Sequence, residues 1–156
     1  MSIAPPPDLV GEIANHPLFA GLDPKLVRSA ASTAQEREFA AGDLLAREGT
    51  TADTLLLILR GKVALEVGAA DRPTLTVQTV GPGEVVGWSW FVPPFRWRFD
   101  ARAVKPTRAI VLNGPALRET LSRHPAWGFA FLVRFLPLIA ERLENTRIQL
   151  LDIHAR

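Results

Sequence analysis

At 156 residues, with 47% hydrophobic and 22% charged side chains, the chain carries enough apolar material for one domain with a real core and too little for two. Its 18 Lys and Arg are interspersed with 16 Asp and Glu for a formal charge of +2, which argues against the one-sided basic stripe of a nucleic-acid binder. No run approaches the apolar length of a membrane span and the N-terminus has no secretory pattern, so a cytoplasmic protein is expected; the absence of cysteine excludes disulfides, thiolate metal sites and thiol catalysis without identifying a compartment.

Pro5-Pro6-Pro7 reads as a stiff leader, after which Leu9, Val10, Ile13 and Ala14 recur at helical spacing with Asp8 placed to cap. In Gly21-Leu22-Asp23-Pro24 the aspartate reads as an N-cap and the proline as the first residue of a second helix to about Thr33. From Glu36 the period changes. Short apolar runs are broken by Ala41-Gly42-Asp43, Glu48-Gly49-Thr50, Arg60-Gly61-Lys62 and Asp71-Arg72-Pro73. They predict strands near 36–40, 43–47, 54–60, 62–67, 73–80, 99–105 and 107–112, spaced as in an antiparallel sandwich or barrel. Helix then returns: Asn113 caps a segment through about Arg123, and His124-Pro125 opens a final helix to about His154.

Within that last helix Leu132, Leu136, Ile139, Leu143, Thr146, Leu150 and Ile153 alternate by four and three residues, the pattern of a coiled-coil seam. A second row, Phe131, Phe135 and Leu138, can pack on the strands while the first meets another chain, and Pro137 is expected to bend the helix between them. The expected assembly is a parallel homodimer; the competing reading packs the seam on the chain's own strands. His16, His124 and His154 are scattered, and Ser29, Ser89 and Ser122 have no base framed near them, so neither a metal site nor enzymatic catalysis is expected.

His16-Pro17-Leu18-Phe19-Ala20-Gly21-Leu22, the stretch from Phe39 to Gly49, and Leu55 to Val63, in the order helices, strands, long helix, together resemble the cyclic nucleotide-binding domain of catabolite-activator-type regulators. The resemblance covers nearly the whole chain. It implies a double-stranded β-helix, or jelly-roll barrel, over 36–112, with N-terminal helices at 8–33 and C-terminal helices at 113–156. It also implies a regulatory sensor that holds a nucleotide-like or other anionic small molecule in the barrel, with no other cofactor.

The family's phosphate-binding cassette pairs backbone amides and an arginine with the cyclic phosphate, and a glutamate with the ribose. The matching segment here runs from Gly83 to Arg98. Gly87 takes the glycine's place, and Trp88 stands where the glutamate should be. Counting back from Ala101-Arg102-Ala103-Val104 puts Trp97 in the arginine's place; counting forward from Gly87 puts Arg98 there. In an extended segment Arg96 and Arg98 share one face and Trp97 takes the other. With the arginines inward, Arg98 in preference to Arg96 holds an anion, Gly87, Trp88, Ser89 and Trp90 supply amides, and Trp88, Trp90 or Trp97 stacks on a flat ligand. With the tryptophan inward, indole fills the pocket and the domain is a ligand-free dimerisation or protein-interaction scaffold. Arg142 to Arg147 resembles the helical segment whose Thr-Ser pair meets the base of the nucleotide, with Thr146 on the Thr and Arg147 replacing the Ser, which adds both to the candidates. The sequence stops where such regulators continue into a DNA-binding domain, so the expected output is an unnamed effector protein or the dimer itself, not nucleic acid or a membrane.

Overall fold

The computed structural model describes residues 7–68 and 73–155. The Pro5-Pro6 start of the leader, the Asp71-Arg72 turn, and the side chains of Thr146, Leu150 and Ile153 lie outside what it describes. Helices α1 (Pro7–Asn15) and α2 (Pro24–Ser32) precede strands β1 (Gln35–Phe39), β2 (Leu44–Ala46), β3 (Thr54–Val67), β4 (Leu75–Val80), β5 (Val85–Val86) and β6 (Asp100–Asn113). Helices α3 (Gly114–Arg123) and α4 (Pro125–Ala155) complete the chain. α1 starts at Pro7, so Asp8 is its second residue and not the one before it. Asp23 caps α2 by accepting from the Lys25 amide at 2.8 Å, and Asn113 caps α3 through Ala116 at 3.0 Å.

The sheet is antiparallel and is the jelly-roll type expected, but its hydrogen-bonded path, β1-β6-β3-β4 with β2 on β6 and β5 on β3, does not close into a barrel. Two pairs of expected strands are single long strands. The segments at 54–60 and 62–67 merge into β3, and those at 99–105 and 107–112 into β6, which pair along nearly their whole length. Gly61 makes this possible. At φ 103° it carries β3 through a bend where a Cβ would stand 2.4 Å from Thr107 Oγ1 and 2.6 Å from the Pro106 carbonyl, so the ladder shifts register there and continues. The two-residue β5 has no sequence signal of its own length.

Leu55-Leu56-Leu57-Ile58 is apolar without alternation because β3 is covered on both faces. Leu55 and Leu57 join a core with α1, α2, α3, α4 and Val85, while Leu56 and Ile58 join a second core inside the roll with Phe39, Val63, Val86, Trp97, Phe99 and Val111. α4 enters the first core through Phe131 and Phe135, which are buried, stacked 5.3 Å apart, and continues unbroken past Pro137. Among the described residues no helix is long and apolar enough to cross a membrane.

Candidate functional site

The segment between β4 and β6 begins with a turn in which the Glu84 amide donates to the Gly81 carbonyl at 3.1 Å and Glu84 Oε1 accepts from the Gly81 amide at 3.1 Å. Val85 and Val86 then pair with Leu57 and Leu56. At Gly87 the backbone turns at φ 113°, and a Cβ there would lie 2.9 Å from Trp97 Cη2 and 3.0 Å from the Thr54 carbonyl. Only glycine fits that approach without displacing its neighbours. Beyond it the chain forms successive tight turns, with the amides of Phe91, Val92 and Phe95 donating to the carbonyls of Trp88, Ser89 and Val92, and no α-helix.

The facing left open by the sequence is settled by backbone bonds to the 49–52 loop: the Trp97 amide donates to Thr50, the Gly49 amide to Trp97, and the Ala52 amide to Phe95. This puts Trp97 inward, 4% exposed and edge-on to Phe99 at 5.9 Å. Arg96 and Arg98 point outward, Arg96 donating to the Gly49 carbonyl at 2.8 Å and Arg98 lying 5.8 Å over the Trp88 ring. Trp90 is fully buried in the helical core against Phe91, Phe131 and Phe135, with Nε1 donating to the Gly87 carbonyl at 3.1 Å. Trp88 is half-buried beside the same core. Ser89 is buried, with no hydrogen-bond partner for Oγ. Arg147 lies on exposed α4 surface, 3.7 Å from Glu144. The structure therefore brings Gly87, Trp88, Trp90, Trp97 and Arg98 into one packed segment without turning either arginine toward the roll's interior.

A different set of residues borders open space. A cleft of about 510 Å3 lies between β4, the 81–84 turn and α4, bordered by Gln78, Glu84, Leu138, Glu141, Arg142 and Asn145 among others. Arg142 reaches from α4 to donate to the Val85 carbonyl. Burial pushes its pKa below the ordinary arginine value, opposed by the nearby Glu84 carboxylate. The Oε1 atom of Gln78 is buried without a donor. Glu84 also ties the turn to the N-terminal helices: its carbonyl accepts from His16 Nε2 at 3.3 Å, while His16 Nδ1 accepts from the Leu18 amide at 3.2 Å. The residue is 4% exposed, and burial lowers the ring's pKa. Sequence reasoning missed Gln78, Glu84, Glu141, Arg142 and Asn145 as a set. The available signal was that Arg142 and Asn145 sit one turn apart on the helix segment already singled out for Thr146.

The family model for the cyclic nucleotide-binding domain matches residues 36–124. A CRP-like cAMP-activated global transcriptional regulator of Mycobacterium tuberculosis is 25% identical over 141 residues, covering 90% of this chain and 61% of that protein. A cyclic AMP receptor protein of Thermus thermophilus is 32% identical over 130 residues, covering 81% and 53%. The chain thus spans somewhat over half the length of these curated relatives. Among solved structures, a cyclic nucleotide-binding domain from Methylobacillus flagellatus superposes with a TM-score of 0.79 at 26% identity, covering 93% of this chain and 84% of that one.

Proposed function

The chain belongs to the cyclic nucleotide-binding domain family, and on that premise we propose that it is a regulatory module, not an enzyme, which senses a small molecule beside α4 and signals through that helix in a homodimer. The observation that carries this reading is the Arg142 bond to Val85, which ties α4 to β5 directly after the 81–84 turn, so that helix and turn face each other across one cleft. A ligand that contacts both walls has differential affinity for any two positions of α4, which is the condition for a population shift. The exposed row Phe129, Val133, Leu136, Ala140 and Leu143, spaced by four and three residues, supports α4 as the dimer helix. It is rotated from the expected seam, because Phe131 and Phe135 take the core and leave Leu132 and Ile139 half-buried on the flank.

The second reading, a ligand-free scaffold, is favoured by one observation: Trp97 occupies the interior at the place where the family resemblance allowed an arginine. Calorimetry against cyclic mono- and dinucleotides, nucleosides and amines, with light scattering and hydrogen exchange on each binder, separates the two. A sensor yields at least one saturable ligand that changes protection along α4. A scaffold yields a dimer and no ligand.

A further inference from the structure

From the chemistry of the cleft between β4, the 81–84 turn and α4, we infer that its ligand is a small, uncharged or cationic molecule rich in N–H or O–H donors, and not a phosphate ester. This rests on the reading that the cleft is the sensing site, and specifies what it senses.

Three observations carry it. Gln78 Oε1 is a buried acceptor with no donor, and such an atom gains most from a ligand that brings one. Among the described residues, the charged side chains bordering the cleft are the carboxylates of Glu84 and Glu141 and the guanidinium of Arg142, which sum to −1 (one positive less two negative). That guanidinium donates through Nη2 to the Val85 carbonyl and faces the Glu84 charge. A phosphate entering here would meet two carboxylates and a buried acceptor against one guanidinium. The two arginines of the cassette segment, Arg96 and Arg98, lie exposed and do not border the cleft.

The remaining polar neighbours, Thr79 and Asn145, can each donate and accept, so they suit a donor-bearing ligand without requiring it to be charged. At about 510 Å3 the cleft accommodates a molecule of nucleoside size.

The test uses adenosine and cyclic AMP, which share a base and a ribose and differ by the phosphate, together with agmatine as a guanidinium cation. Each is titrated at up to millimolar concentration into the isotopically labelled full chain, with the side-chain amide signals of Gln78 and Asn145 as readout. Adenosine or agmatine is expected to shift both signals saturably, with an affinity at least about tenfold above that of cyclic AMP. Gln78→Leu is expected to weaken the stronger of the two about tenfold while melting no lower than the wild type, because the unsatisfied buried acceptor is gone. Arg98→Ala, outside the cleft, is expected to leave the affinity unchanged. Cyclic AMP binding in the cleft as tightly as adenosine overturns the ligand class and leaves the sensing reading intact. No shift from any of the three probes overturns the inference; the sensing reading is then decided separately by the wider panel. Cleft binding that leaves α4 protection unchanged fails the signalling reading but not the ligand class.

Discussion

Trp97 and Gly87 are fitted to one another: the edge of the indole lies 2.9 Å from where a Cβ on Gly87 would stand. The glycine brings β5 close to the tryptophan, and the tryptophan in turn fills the interior among Leu56, Val86 and Val111. Gly87→Ala is therefore expected to destabilise the domain by about 1–3 kcal/mol, from the positive φ together with the contact to Trp97 and the Thr54 carbonyl. A chain of this length should show it as a loss of roughly 2–12 °C in Tm. An unchanged melting temperature in calorimetric scans would mean that the approach is looser than described.

Cyclic AMP is expected to bind weakly, at about 10 μM or above. The two charge-assisted bonds that the family resemblance assigns to the cassette are replaced here by Trp88 and Trp97, and each such bond is worth roughly 1.5–3 kcal/mol. Submicromolar binding by calorimetry would contradict this. Arg96→Ala and Arg98→Ala, exposed as both residues are, should change stability by no more than about 0.5 kcal/mol in denaturant titrations.

His16 sets a pH dependence. Its native form is neutral, since Nδ1 accepts from Leu18 and burial disfavours the charged ring, so its pKa lies below the ordinary 6.5. Below 6.5 the unfolded chain takes up a proton that the folded chain refuses. The stability contribution is therefore fully present above the unfolded value and is lost as pH falls through the lowered native one, with a slope of at most about 1.4 kcal/mol per pH unit. Melting curves between about pH 7.5 and 5 should show this loss in the wild type and a flatter profile in His16→Gln. Parallel profiles would remove His16 as the cause.

Much of the fold was legible because its signals are local. Asp23 and Asn113 were readable as caps from residue type and the proline that follows each closely, and the glycine-punctuated runs located the strands. The continuity of β3 through Gly61 was not, since a glycine that ends a strand and one that bends it look alike until Thr107 and Pro106 are placed against it. The site was less legible for the same reason. Counting along the cassette left Trp97 and Arg98 exchangeable, and only backbone pairing with Gly49, Thr50 and Ala52 on a distant loop fixes which one faces inward. Gln78, Glu84 and Arg142 belong to three elements, and nothing in their spacing announces that they meet.

The proposed dimer makes the sharpest prediction, because the protomer and the assembly would ask different things of one residue. Leu143 is 71% exposed in the protomer, at the end of the row that starts at Phe129. Substituting it by aspartate removes little buried surface from the protomer and costs it only the helix propensity difference, about 0.5 kcal/mol. In a parallel two-fold pair the same change places a carboxylate from each chain in the apolar seam, at a cost of several kcal/mol. Leu143→Asp should therefore be folded and monomeric, with a melting curve near that of the wild type extrapolated to low concentration, while the wild type scatters as a dimer at micromolar concentration. Glu144→Ala, which loses only a 3.7 Å surface pair with Arg147, should remain dimeric. A wild type that scatters as a monomer would remove the dimer helix, and a Leu143→Asp variant that stays dimeric would move the interface off this row.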